Sequence, residues 1–223
     1  GIELLFWVAV NPARPQSVLA AGVSAQLSSD AAMAYSQLSR TNFDQLPTID
    51  SIYSRLNLTG NLVAAIQLEE VRSLFGSAVD FSAVERWVSD ATALAEKIDD
   101  KRALSFAYGI AAELKALQSA STIAVETQYA QALALAQSVQ AFDISYDWAY
   151  RLAQLSEAAG RDDKAAEYYE SALAALDQVR EALVAVNSEL RFDFAQKIEP
   201  VYRDYLQFLV DASDPNFAQV VEV

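Results

Sequence analysis

Three features of this 223-residue chain predict an all-α fold. Ala, Leu, Gln and Glu dominate it, and these are strong helix formers. Only 6 Gly and 5 Pro occur, too few for the frequent turns of an all-β chain. An apolar stripe recurs with a period near 40: Val84, Val88, Ala91, Ala95 and Ile98 fall 41 residues before Val125, Tyr129, Ala132, Ala136 and Val139. These in turn fall 40 before Ala165, Tyr169, Ala172, Leu176 and Val179. Internal spacings of 4, 3, 4 and 3 mark one face of an amphipathic helix. Small residues at the third and mostly the fourth place let a second helix approach closely. The intervening segments repeat too, Ala111-Ala112 and Leu114 preceding Leu152-Ala153 and Leu155 by 41. Two helices per repeat, stacked in sequence, predict an α-solenoid of antiparallel helix pairs.

In chain order, residues 1–47 form an irregular helical N-terminal cap. Asn11-Pro12-Ala13-Arg14-Pro15 breaks it, and Ser28 to Leu38 gives a short helix. Leu46-Pro47 starts a long helix running toward Phe75, and Gly76 to Phe81 forms a loop. Ser82-Ala83-Val84-Glu85 has the pattern of a capping box, in which a Ser hydroxyl and a Glu carboxylate satisfy orphan amides reciprocally. It predicts a helix from Ser82 to Ile98. Asp100, Ser121, Ser145 and Asp162 or Asp163 stand before further periodic stretches, where a short side-chain oxygen can cap. They predict helices over 101–118, 121–140, 145–159 and 162–187.

Pro200 interrupts the last pattern, from Leu190 to Leu209, and removes a backbone donor. A kink or restart is expected at Lys197 to Glu199. Val201, Tyr202, Tyr205, Leu206 and Leu209 recur at helical spacing and predict a helix that caps the last repeat. The helix-pair repeats then span 48–187 of a single repeat domain, and 188–223 holds the capping helix and the start of a linker to a missing C-terminal domain.

The chain contains no Cys and no His, which excludes disulfides, thiolate or imidazole metal sites, and Ser-His or Cys-His catalysis. A net charge of −14 repels phosphate backbones and anionic membranes, and favours a basic or mixed-charge protein surface as partner. The longest apolar run, Leu4 to Val10, is far short of the roughly 20 residues of a bilayer span. The start at Gly1, without Met or a basic leader, and the uncapped amphipathic stretch Asn216 to Val223 read as an excised fragment. The acidic pairs Glu69-Glu70, Asp99-Asp100 and Asp162-Asp163 read as caps and solvated faces, because adjacent helical residues point about 100° apart. A carboxylate di-metal bundle would need Glu-x-x-His pairs, so neither cofactor nor metal is expected.

Leu152-Ala153, Gly160, Ala165, Tyr169 and Ala172-Leu173 resemble the tetratricopeptide repeat at that family's own offsets. The preceding repeat is more degenerate, with Ala111-Ala112 for the Leu-Gly pair and Gln118-Ser119-Ala120 at the turn. A narrower resemblance covers about three quarters of the chain. Ile52 to Leu58, Asp100 to Ser105, Asp143 to Trp148, and above all Phe192-Asp193-Phe194 followed by Ile198-Glu199-Pro200-Val201-Tyr202-Arg203 look like the repeat region of bacterial CHAT-domain proteins. Ala195 stands where that family commonly places an Arg. The resemblance implies a non-catalytic, cytoplasmic scaffold whose caspase-like protease domain, with its His and Cys, lies beyond Val223.

It also places a peptide-binding groove on the inner face of the first helix of each pair. The groove positions fall on Phe106, Gly109, Glu113 and Ala116, and on Asp147, Tyr150, Gln154 and Glu157. This surface is acidic and aromatic, and lacks the Lys and Asn clamp by which some members hold a peptide carboxylate. The implied partner is a protein or peptide with basic or apolar side chains, or the parent's own protease domain. A second reading stands beside it: a structural or autoinhibitory module, with the groove filled by the chain's own terminal segments or by another copy.

Overall fold

A computed structural model of the chain describes residues 32, 35–36, 39–68, 71–73, 79–183 and 188–213. The break at 11–15, the segment 216–223 and residues 76–78 of the expected loop from Gly76 to Phe81 lie outside these residues; Phe81 itself opens a helix. Of the helix expected over 28–38, residues 32, 35 and 36 are described, and all are helical. All regular structure among the described residues is helical. A single 3-10 turn at Phe43–Gln45 precedes α1 (Thr48–Gln67), α2 (Phe81–Lys97), α3 (Lys101–Leu117), α4 (Thr122–Ser138), α5 (Phe142–Ala158), α6 (Asp162–Leu183) and α7 (Ser188–Ser213). None of the described helices is long and apolar enough to cross a membrane. The chain divides into two compact units, Gly1–Gln128 and Tyr129–Val223, with the boundary inside α4.

Three helix starts differ from the expected caps for local reasons. The Asp80 carboxylate accepts from the amides of Ser82 and Ala83 at 3.0 and 3.3 Å, so α2 begins one residue early and Ser82 is not its cap. A charged oxygen is the stronger acceptor for these amides. Asp100 caps α3 as expected, accepting from Ala103 at 2.9 Å, and Ser121 faces the Ala124 amide at 3.4 Å. Ser145 lies buried inside α5, which starts at Phe142 behind Ala141, a residue with no side-chain cap. Asp162 and Asp163 occupy the first turn of α6, where carboxylates oppose the positive end of the helix dipole. Extended backbone at Leu68 ends α1 well short of Phe75.

Helices α2 to α5 all end in the same way. Asp99, Ser119, Gln140 and Gly160 take left-handed backbone, with φ of 54°, 57°, 55° and 66°. The next amide in each turn reaches back to the carbonyl of Ala95, Lys115, Ala136 or Ser156, every one at 2.9 Å. This is the Schellman closure, and only one of the four positions carries the glycine that suits it. Gln140→Gly should therefore stabilise the chain by about 0.5–1 kcal/mol. Gly160→Ala should destabilise it by about 1 kcal/mol through backbone strain, since an added Cβ there meets nothing within 4 Å. Urea midpoints of both variants check the pair; equal shifts of one sign would refute the assignment.

The repeated stripe lies in the interior of the helices. Its first four positions are buried in each of α2, α4 and α6. The fifth is exposed in two cases, Ile98 at 42% and Val139 at 41%, because α2 and α4 end just before it. In the first unit α1, α2 and α3 pack on one another around Ile52, Leu56, Val63 and Ile66, with Phe43 closing one side. Ala91 and Ala95 of α2, and Ala103 and Ala107 of α3, are fully buried, and small side chains of this kind allow close helix approach. Each fully buried Leu or Ile contributes about 1.5–3 kcal/mol relative to its exposed state.

In the second unit α5 packs along α6, and α6 carries α7. Helix α7 continues through Pro200 without a restart, and Pro200 is itself buried. Its buried edge runs through Val201 and Phe208, with Tyr205 half-buried between them. Leu206 is 61% exposed, and Leu209 is exposed as well. The helix is rotated from the expected stripe because the Tyr169 ring of α6 holds Tyr205 and Phe208 at centroid distances of 5.3 and 5.5 Å.

Candidate functional site

The eight residues expected to line a groove fall four to each unit. On α3 in the first unit, Phe106 is half-buried against the core, Gly109 and Glu113 are buried, and Ala116 is exposed. Phe106 lies under α1: a Cβ built on Gly60 would stand 3.6 Å from its Cζ and 3.4 Å from Ile110 Cδ1. This face of α3 is thus covered at Phe106 and Ile110 by α1. Ala116, the last residue but one of the helix, is the exception.

On α5 in the second unit, Asp147 lies 3.7 Å from Arg151, and both Asp147 and Gln154 are half-exposed. Tyr150 is buried and its hydroxyl donates to the Asp204 carboxylate of α7. Glu157 accepts from the hydroxyl of Tyr169, a fully buried residue of α6, at 2.8 Å. Asp147 and Gln154 therefore remain open, whereas Tyr150 and Glu157 are already engaged by the chain's own helices. Tyr150 and Tyr169 stand 6.2 Å apart and join Tyr205 and Phe208 in one aromatic cluster.

Burial raises the Tyr169 hydroxyl above its ordinary value, and its bond to Glu157 adds to the shift. The same order of causes, burial then the Asp204 hydrogen bond, raises Tyr150. For Tyr146 burial again leads, followed by the Asp147 and Asp143 charges. In each case folding favours the neutral phenol. Their contribution to stability is complete below the unfolded phenol value of about 10, and is lost as pH rises beyond it. Far-ultraviolet circular dichroism and tyrosinate absorbance, followed together through an alkaline titration, should show these phenolates forming only as helix is lost. Ordinary titration of every tyrosine in a still-helical protein would contradict this.

Helical spacing did not indicate an open cleft of about 440 Å3 on the first unit. It lies between α2 and α3, with Gln128 of α4 on its far wall. Tyr108, Ala111 and Lys115 form its α3 side. At 100° per residue these three point about 150° away from the expected groove face. Ala93 and Ala111, both lining residues, are small enough to leave the volume open. Alanines within helices read in sequence as packing positions, so nothing marked these two as cleft residues.

Among the described residues no group of three or more carboxylates is placed to hold a metal ion. Two surfaces stand out among the described residues: a half-open acidic face on α5 and a cleft beside α2. No family model, no curated protein and no solved structure matches this chain.

Proposed function

We propose that this chain is a non-catalytic protein-interaction scaffold, a tetratricopeptide-like α-solenoid, and the recognition or regulatory region of a larger CHAT-type protease of the bacterial cytoplasm. One observation carries the reading: four successive helices of 17 residues end in left-handed turns at 99, 119, 140 and 160. In repeat proteins, helix-turn units of such regularity stack on their neighbours and offer extended binding surfaces. The likeness of Phe192 to Phe194 and Ile198 to Arg203 to the segment before the CHAT protease domain supplies the narrower assignment. The partner is a protein segment with basic or apolar side chains, since Asp147, Gln154 and Glu157 are half-exposed on the α5 face and two of them are carboxylates.

Selection of a random displayed-peptide library on the folded chain tests this. The expected result is enrichment of basic or apolar peptides whose binding is lost in an Asp147→Ala, Gln154→Ala double variant. A library that yields no enriched peptide removes the binding reading. The structural or autoinhibitory alternative draws on the Tyr150 to Asp204 bond, by which α7 fills part of the same α5 face. Under that alternative Asp204→Asn, and not the wild-type chain, enriches peptides.

A further inference from the structure

We infer that the cleft beside α2 is a docking site for an amphipathic helix of a partner protein, with an apolar side chain in the cleft and basic residues over its rim. The inference rests on the scaffold reading above and moves the contact surface away from α5. Glu85, Ser89, Thr92 and Glu96 all line the cleft and recur along α2 at steps of 4, 3 and 4, so they form one straight rim. Glu85 and Glu96, both exposed, close its two ends three turns apart, about 16 Å along the axis.

A helix laid along another has the same rise per residue, so cations spaced like these two carboxylates meet both at once. Glu85 already accepts from the Gln118 amide at 2.8 Å, but a carboxylate offers about four acceptor sites in total. Between the charged ends the lining includes the small or apolar Val88, Ala93, Ala111 and Leu114, beside Tyr108, Lys115 and Gln128. The volume has room for more than one apolar side chain from the same face of a docked helix. Among the lining side chains two are carboxylates and one, Lys115, is a cation. Both that excess and the net charge of −14 select a basic partner over an acidic one.

The probe is an alanine-based helical peptide that bears two Lys at the spacing of Glu85 and Glu96, with Leu between them on the same face. Its acidic twin carries Glu in place of both Lys. Fluorescence anisotropy on the whole chain should show the Lys peptide binding and the Glu peptide failing to bind. Glu85→Lys with Glu96→Lys should weaken the Lys peptide about tenfold and reverse the preference. Ala93→Leu, at an exposed position, should narrow the cleft and weaken binding about tenfold with the helical signal intact.

Failure of the Lys peptide to bind, equal binding of both peptides, or no effect of the rim reversal in a folded variant overturns the inference. These outcomes separate it from the scaffold reading. Library peptides that respond to Asp147 and Gln154 but not to the rim variants would remove the cleft and keep the scaffold; an empty selection would remove the scaffold itself.

Discussion

Tyr169→Ala should destabilise the second unit by about 3–5 kcal/mol, the range for removing a large buried aromatic side chain. Tyr169 is fully buried, and its ring touches three others: Tyr150 of α5, and Tyr205 and Phe208 of α7. Its hydroxyl adds a bond to Glu157. Truncation therefore opens a cavity where three helices meet, strands a carboxylate and frees the edge of α7. Tyr169→Phe keeps the ring and removes only the hydroxyl, for an expected loss of about 1 kcal/mol. Tyr205→Ala should cost less than Tyr169→Ala, because Tyr205 is only half-buried. Urea denaturation of the three variants orders them. A Tyr169→Ala chain as stable as Tyr169→Phe would mean that the ring is not at the centre of this packing.

The second large effect is expected at Arg55, a buried cation within α1. Its Nη1 donates to the Ser51 hydroxyl and its Nη2 to Asp44 Oδ1 at 3.0 Å, while its Cζ sits 4.7 Å over the Phe43 ring. Nε is buried without a partner. Arg55→Ala should cost about 2–4 kcal/mol, chiefly through the lost stem and guanidinium packing against Phe43. Arg55→Met should stay within about 1 kcal/mol of the wild type, because it keeps the stem and removes a desolvated charge. Asp44→Asn should have little effect, since the Asp44 side chain is 88% exposed and its attraction is screened by water. Thermal unfolding of these variants decides the matter. A Met variant as damaged as the Ala variant would show that the charge, and not the stem, holds this corner.

The helical class and five helix positions were legible because both depend on local chemistry. Side chains such as Val84, Val88, Ala91 and Ala95 declare a buried face by their spacing alone, and that face is buried. The cap at Asp100 was legible for the same reason, since it requires only a short acceptor before a periodic stretch. Ser82 was misleading because Asp80, two residues earlier, offers the stronger competing oxygen, and Ser145 because α5 starts at Phe142 with no side-chain cap at all. The left-handed turns at Asp99, Ser119 and Gln140 carried no glycine signal. Their cost of about 1 kcal/mol each is small beside the burial of the helices they join.

The candidate surfaces were less legible, because exposure of a helix face depends on what packs against it. Spacing placed Phe106, Gly109 and Glu113 on one face of α3, but only the approach of α1 through Gly60 decided that Phe106 is covered, and Gly109 and Glu113 are buried as well. The register of α7 likewise followed from the Tyr169 ring rather than from its own stripe, and that register exposes Leu206 and buries Phe208. The sequence by itself determined an acidic, all-helical chain without Cys or His, and the inward stripe of each repeating helix. Tertiary structure alone decided which remaining faces are open, because a helix has several faces of similar composition and only its neighbours select among them.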